Sequence, residues 1–585
     1  MTGTISTDTA QSLLFKHFAT LSSAPDGIAR LRELILQLAV QGKLGTQDPG
    51  DEPASVLFER IRKEKERLVK EGQIPKQNPS DPIESNFFIP ILQNNWILAR
   101  LGDISNRIHY GYTASSDETN KKVRLIRITD IQNNQVVWEN VPGCEIHDSV
   151  YSSYAIKPGD LLVARTGGTI GKSYLVRDVP VPAVFASYLI RIVPNKNLDS
   201  NYIKLFADSP IYWNQLYSKC MGTGQPNVNG TSLRSLIISL PPLAEQHRIV
   251  AKVDRLMALC DQLEALQRQE KKGSVKLATA SLTSLQNAGS QVEFERYWTQ
   301  VCEAFELILD CQENVGMLRQ TILQLAVQGK LGTQDPGDEP ASVLVERIRK
   351  EKERLVEEGR IKQKKTQNLV KSSDNFFILP SGWIFINLHE LGVFTGGMTP
   401  STMNLEYWNG TTPWVSSKDV KTKYIFDSEL KISKKALDNN RLSIIPKESI
   451  VIVARSGILK RTLPVSITKI ECTVNQDIKV IIPYLPMITE YLHLLLKGYE
   501  KFILKELVKG GMTVQSLKYE EFEYQLFPLP PLAEQHRIVA KVDRLMGLCD
   551  QLEARLKERS ALQERFVKSV VNGFVGKADQ TELPL

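Results

Sequence analysis

The stretch LLVARTGGTIGKS at 161–173 comes within one residue of a nucleotide-binding loop. Such a loop needs Gly, four residues, then Gly-Lys-Ser/Thr, because a glycine-rich turn lays backbone N–H groups around phosphate oxygens. Gly171, Lys172 and Ser173 satisfy the pattern, but the first glycine position holds Thr166. A related stretch in the second half of the chain, VIVARSGILKRTL at 451–463, keeps the apolar run, the Arg and one Gly but has no Gly-Lys-Ser. A loop required for nucleotide use should not vanish from the equivalent domain. The stretch therefore reads as a strand and a turn rather than an ATP site.

The cysteines and histidines offer no metal site: there is no CxxC pair among the seven cysteines and no HxxxH among the seven histidines. An odd, scattered set of thiols fits a reduced, cytoplasmic setting. No apolar run approaches the ~20 residues that span a bilayer. The N-terminal MTGTISTDTAQSLLFKHFAT lacks the basic and apolar regions of a secretory signal. At 585 residues, 42% hydrophobic and 24% charged, the chain is expected to be a cytosolic globular protein of three or four domains.

Internal repetition organises those domains. LQLAVQGKLGTQDPGDEPASVLFERIRKEKERLV at 36–69 returns at 323–356 with one change, Phe58 to Val345. LPPLAEQHRIVAKVDRLMALCDQLEA at 240–265 returns at 529–554, again with one change, Ala258 to Gly547. Each half thus reads as helical repeat, unlike middle, helical repeat. In the first repeat Leu31, Leu34, Ile35 and Leu38 share a face that stops near Gly42 and Gly45. DPGDEP is a turn, and Pro53 suits the first position of the charged helix that follows. After Pro241-Pro242, Ile249, Val253, Leu256, Cys260 and Leu263 step by 4, 3, 4, 3, as in a coiled-coil seam; Ile538, Val542, Leu545, Cys549 and Leu552 repeat the steps. Two such stripes most simply bury against each other, with a single amphipathic helix on a globular core as the alternative. The middles carry β-branched runs such as DLLVA and SIVIVA between Gly, Pro and Asn turns, and read as mixed α/β domains.

Charge separates the two kinds of segment. Residues 86–240 hold 15 basic against 11 acidic side chains, 375–530 hold 18 against 15, and the frame balances at 40 of each. A balanced frame fits solvated helices, ERIRKEKERLV included, and protein contacts; a small basic surplus in the variable domains fits a polyanion. Two unlike readers on duplicated supports suit a bipartite target, since readers one turn of duplex apart (~34 Å) meet the same face of DNA. A 20-residue helix, ~30 Å long, is a ruler of that length.

Several motifs resemble the DNA-specificity subunit of Type I restriction–modification systems, over nearly the whole chain. LPPLAEQHRIVAKVDRLM follows each variable domain; NFFIPILQNNWILARLGDI and NFFILPSGWIFINLHELG resemble the start of that family's target-recognition domains. GGMTPSTMNLEYWNGTTPWVSSKDV at 396–420 and GTGQPNVNGTSLRSLIISLPPLAEQ at 222–246 are similar to it as well, and QLAVQGKLGTQDPGDEPASVL resembles the Type IB subgroup. The first domain departs from the pattern, with GYTASSDETNKKVRLIRITDI where the second has Thr-Pro-Ser and Trp-Val-Ser-Ser, so the two are expected to read unrelated half-sites.

The resemblance implies an α+β fold: two mixed α/β target-recognition domains joined by two long antiparallel coiled-coil helices and shorter helical repeats, with pseudo-twofold symmetry. The corresponding divisions are 1–85 (helical repeat), 86–240 (first reader), 241–374 (central coiled-coil helix, linker and second repeat), 375–530 (second reader) and 531–585 (C-terminal coiled-coil helix). It also implies a non-catalytic DNA reader in the cytoplasm whose frame docks two adenine methyltransferase subunits, with ATP-dependent motor-nuclease subunits completing the complex. No cofactor is expected on this chain; S-adenosylmethionine, ATP and Mg belong to the partners, and no membrane is involved. The sequence agrees in lacking Asn-Pro-Pro-Tyr/Phe, an Asp-Glu helicase box and an acidic nuclease cluster. A coiled-coil scaffold with protein-binding variable domains is the rival reading.

Base readout draws on Arg, Lys, Asn and Gln, and phosphate contact on Arg, Lys, Ser and Thr. The candidates in the first reader are Tyr110, Tyr112, Thr113, Lys121, Lys122, Arg124, Arg127, Arg165, Lys172, Gln225, Asn227 and Asn229. In the second they are Thr399, Ser401, Trp414, Ser416, Ser417, Lys418, Arg455, Lys460, Arg461, Thr513 and Gln515. Trp414 also suits a packed core. Arg165 and Arg455 occupy matching positions and fit either a shared phosphate anchor or a structural ion pair. Gln246, His247 and Arg248, with Gln535, His536 and Arg537, are either helix-start polarity or a contact to a modification subunit.

Overall fold

The computed structural model describes residues 22–76, 83, 93–120, 122–220, 227–361, 378–440, 442–511 and 514–575. The α+β chain forms two compact units, one of residues 1–270 and 559–585 and the other of residues 271–558. Among the described residues, no helix is long and apolar enough to cross a membrane.

The first unit begins with α1 (Gly27–Val40) and α2 (Ala54–Lys70). Gly42 ends the first of these at φ +67°, and a Cβ there would lie 2.5 Å from Gln93 Cγ and 3.1 Å from Trp96, so both conformation and space demand glycine. α2 carries its charges outward, with Arg67 bridging Glu64 and Glu71. Lys65 departs from the solvated face expected of this helix. Its ammonium donates to the carbonyls of Gly102 (2.8 Å) and Asp103 (3.0 Å), and burial pulls its pKa down to about 8.

The first reader leaves and rejoins this frame through one antiparallel ribbon, β1 (Ile97–Arg100) against β6 (Ile237–Leu240), with Ile97 opposite Leu240. Between them β2 (Ser105–Tyr110), β3 (Leu161–Ala164), β4 (Ser173–Leu175) and β5 (Leu189–Pro194) form an antiparallel sheet of order β2-β5-β3-β4. The unbroken apolar run of β3 follows from its place in the sheet. Leu161 and Val163 pack on one side with Tyr202, Phe206 and α1, while Leu162 and Ala164 pack on the other with Ile126, Val141 and Phe185. A strand covered on both faces favours apolar side chains at every position. The long helix α3 (Leu243–Asn287) follows β6 directly and continues past the boundary of the unit.

The second unit repeats the plan: α4 (Gln312–Val327), α5 (Ala341–Glu357), and a ribbon of β7 (Ile384–Asn387) against β14 (Leu526–Leu529), with Ile384 opposite Leu529. Its sheet is built of β8 (Gly392–Gly396), β9 (Tyr424–Ile425), β10 (Ile450–Val453), β11 (Val465–Thr468) and β12 (Ile478–Pro483), in the order β8-β12-β10-β11-β9. Removing β9, which adds in parallel at the edge, leaves the topology of the first sheet. Ile450 and Ile452 again face one core and Val451 and Val453 the other. A short strand, β13 (Gln515–Leu517), pairs with Arg455–Ser456, and α6 (Leu532–Val575) closes the chain.

The seams of the long helices bury against partners other than those expected. Ile249 and Val253 join the reader core with Ala39 and Val40 of α1, and Cys260 and Leu263 meet Ile28, Leu31 and Ile35. Leu256 is half-buried. Ile538, Val542 and Cys549, with the half-buried Leu545 and Leu552, share a core with Val315, Ile322 and Ala326 of α4. Each stripe therefore packs on the short repeat helix of its own unit, which offers a complementary apolar face. Matched ion pairs lock the register: Arg32 reaches Asp261 and Glu264 (3.0 Å), and Arg319 reaches Asp550 (2.6 Å) and Glu553 (3.3 Å). Within the second unit, Ala278 of α3 and Leu552 of α6 share a small cluster with Ile308 and Leu309.

Candidate nucleic-acid interface

The near-match to a nucleotide loop is a β-hairpin. Several of its N–H groups are used internally: Gly171 N–H donates to Ala164 O (2.8 Å), Ala164 N–H to Lys172 O (2.9 Å) and Ile170 N–H to Gly167 O (3.1 Å). A strand follows, where a phosphate loop requires a helix N-terminus. The hairpin instead presents cations. Arg165 sits at its base, with its guanidinium 4.9 Å over the Tyr110 ring and its Nε donating to Asn227 Oδ1 (3.2 Å); Lys172 is exposed at the other side. Tyr110 is in turn held by Gly230 N–H donating to its hydroxyl (3.0 Å). Tyr110, Arg165 and Asn227 thus converge from β2, the β3–β4 hairpin and the segment before β6. Asn229 stands beside them but spends its Oδ1 capping the short helix Gly230–Arg234.

The equivalent hairpin of the second reader, between β10 and β11, carries Arg455, Lys460 and Arg461, all exposed. Arg455 lies 4.0 Å from Asp477 Oδ1 with its side chain 64% exposed. A pair that long and that solvated contributes little to stability, and leaves the guanidinium free to meet another anion. Two readers with divergent sequences thus keep cations on the same hairpin.

Other candidates are committed elsewhere. Arg124 donates to Val141 O (2.6 Å), and Arg127 grips Asp130 through Nε (3.1 Å) and a terminal nitrogen (2.9 Å). Tyr112 is half-buried against Tyr154. Trp414 is buried, packs edge-on against Trp408 at 5.0 Å and donates its indole N–H to Met398 O (3.1 Å). Ser416 is spent on Asp419, and Gln515 is buried with its amide on Gly511 O (3.0 Å). Residue type suits these side chains to DNA, but internal hydrogen bonds or ring packing claim them. Thr113, Lys122, Ser401 and Lys418 are exposed, Ser417 is half-buried, and Thr399 donates to Gln476. Lys121, Gln225 and Thr513 lie outside the described residues.

The frame residues have internal roles. Gln246 is buried, donates to Pro241 O (3.0 Å) and accepts from Asp199 N–H (3.0 Å); Gln535 donates to Pro530 O (2.9 Å). Arg248 braces Thr46 O (2.9 Å) and Asp51, and Arg537 braces Thr333 O (3.0 Å) and Asp338. Only His247, on Asp199 (3.0 Å), and His536 face outward in these triplets. The adjoining glutamates, outside the candidate triplets, are also engaged. Glu245 accepts from Trp96 Nε1 (2.8 Å) and Thr46 Oγ1 (3.0 Å); Glu534 accepts from Trp383 Nε1 (2.8 Å) and Thr333 Oγ1 (2.9 Å). Each ties the start of a long helix to the start of its reader. The signal for them was the recurrence of Thr, Trp and Glu at matched places in both halves.

A family model described as the Type I restriction modification DNA specificity domain matches residues 93–271 and again 380–559. The chain is 30% identical to the Type I restriction enzyme EcoAI specificity subunit of Escherichia coli, over 94% of each chain. To the EcoEI specificity subunit of the same species it is 29% identical over 92% of each. A crystal structure of the HsdS subunit from Thermoanaerobacter tengcongensis aligns with a TM-score of 0.42 at 19% identity, covering 84% of this chain and 99% of that one.

Proposed function

This chain belongs to the family of Type I restriction–modification DNA specificity subunits, and from that premise we propose that its two readers each recognise one half of an asymmetric, bipartite DNA site. One observation carries the reading: two sheets that share a four-stranded antiparallel topology, on near-identical supports, present cations on the same hairpin while their surrounding surfaces differ. The shared hairpin suits the phosphate backbone, which is alike in every sequence; the unlike surroundings suit unlike base edges. The frame sets the spacer between the half-sites and docks two adenine methyltransferase subunits, with ATP-dependent motor-nuclease subunits added for restriction. Catalysis, S-adenosylmethionine, ATP and Mg belong to those partners, and this chain supplies the address.

Arg455 is the phosphate anchor of the second reader. Replacing Arg455 with Ala weakens binding to all sequences alike and lowers the salt slope of log K by about one, the release of one counterion. Titrations of the complex with its modification partner, on cognate and unrelated duplexes at several salt concentrations, read both quantities. An unchanged slope contradicts the anchor. A scaffold with protein-binding readers predicts no sequence-selective affinity at all, even with partners present, so the wild-type titration separates the two readings.

A further inference from the structure

The loop that leaves β8 in the second reader turns large apolar side chains into water beside polar ones such as Ser401, Thr402 and Glu406, and its backbone is held by hydrogen bonds. Gly397 presses so closely on Val474 that a Cβ would lie 1.6 Å from the Val474 carbonyl oxygen. The next residue, Met398, donates its N–H to that oxygen (3.1 Å). Two indoles then fix the loop from beneath, Trp414 Nε1 on Met398 O and Trp408 Nε1 on Ser401 O (both 3.1 Å). Asn404 caps the turn Leu405–Tyr407, and Ser433 N–H holds Tyr407 O (2.9 Å). Above this pinned backbone Met403 is 90% exposed and Leu405 80%. An ordinary loop tip is polar; one that is immobilised and turns two large hydrophobes outward is preorganised to lose water on binding.

What it meets is indicated by its neighbours. The root of the loop, Met398 and Thr399, is bonded to Val474 and Gln476, and the same segment continues into Asp477, which accepts Arg455 N–H through its carbonyl (3.1 Å). The finger and the cationic hairpin are therefore adjoining parts of one surface. In the first reader the loop after β2 is polar at the same point. Thr113, Ser115, Ser116, Glu118 and Thr119 are exposed, and Asp117 organises the turn through Thr119 N–H and Oγ1 (both 2.7 Å). The difference is confined to one reader, as a specificity device should be and a fold requirement should not. The apolar group that base edges offer in the major groove is the 5-methyl of thymine.

We propose that Met403 and Leu405 are specificity-determining residues that contact thymine methyl groups in the second half-site. The proposal rests on the DNA-reading role above. Its test uses the chain bound to its modification partner and duplexes carrying the mapped site, with each thymine of the second half-site replaced in turn by deoxyuridine, which pairs alike but lacks the methyl. At one position or more, affinity falls about fourfold per lost methyl contact. In the double variant Met403→Ser, Leu405→Ser that penalty disappears, while substitutions in the first half-site act as they do on wild type. Both side chains stand in solvent, so the melting temperature of the variant stays that of wild type. Penalties that persist unchanged in the variant overturn the proposal, as does wild-type binding indifferent to deoxyuridine or a second half-site without thymine. Loss of all sequence selectivity in the wild type is a different failure, that of the DNA-reading role itself.

Discussion

A chain in which residues 97–240 are replaced by a second copy of residues 384–529 directs methylation to sites whose two halves are both the present second half-site. Methylation at the original bipartite motif falls by about three orders of magnitude or more, the usual gap between specific and non-specific DNA binding. The expectation rests on how each reader is attached. Both enter and leave through a four-residue antiparallel ribbon in the same register, Ile97 opposite Leu240 and Ile384 opposite Leu529. Both ribbons start just after a buried tryptophan held by a helix glutamate, Trp96 on Glu245 and Trp383 on Glu534. The surfaces beneath also match. Tyr202 donates to Ser239 O (2.7 Å) in one reader and Tyr491 to Pro528 O (3.1 Å) in the other, and Ala39-Val40 under the first repeats as Ala326-Val327 under the second. Mapping methylated adenines in cells that co-express the exchanged chain with its modification partner reads the outcome. Retention of the original first half-site would show that recognition lies outside the exchanged residues.

Removing one of those tryptophans has the largest effect expected of a single substitution on stability. Trp383 is 6% exposed and belongs to the main core of its unit with Leu344, Ile348 and Ile538. Trp383→Ala costs about 3–5 kcal/mol through lost burial and the cavity left behind. The same change strands Glu534 Oε2, itself buried, without its donor. Trp383→Phe separates the two contributions: the ring keeps most of the packing, and the orphaned carboxylate oxygen costs about 1–3 kcal/mol. Urea unfolding of wild type and both variants checks the order, with Ala more damaging than Phe and Phe more damaging than wild type. A Phe variant as stable as wild type would mean that the indole–carboxylate bond is not what fastens the reader to the helix.

How far the sequence reveals this protein depends on the kind of signal. The duplicated segments announce two halves because a 34-residue stretch that returns with one change needs no structural knowledge to recognise. Apolar runs such as IVIV mark central strands because burial on both faces favours apolar side chains throughout. The seam of Ile249, Val253 and Cys260 was equally plain as a stripe, but periodicity identifies a buried face without identifying what buries it. The partner is α1, brought near by the turn at Gly42 and Gly45 and not by any pattern in the helix itself. Side-chain chemistry is less legible still. Arg127 and Arg165 look alike in sequence, yet Asp130 three residues on claims the first, while the second meets Tyr110 and Asn227 across the fold. Glu245 was hidden because its importance lies in two distant donors, Thr46 and Trp96. Met403 and Leu405 are not legible in the sequence, because exposure, not residue type, makes them unusual.

Two unlike DNA readers on a duplicated frame require a particular pattern of adenine methylation. When the chain is co-expressed with its modification partner, the methylated adenines fall in a split motif: two specific halves of different sequence, separated by a spacer of fixed length and arbitrary composition. Methylation that is absent, scattered, or confined to a single continuous sequence would mean that the chain does not carry two unlike DNA readers.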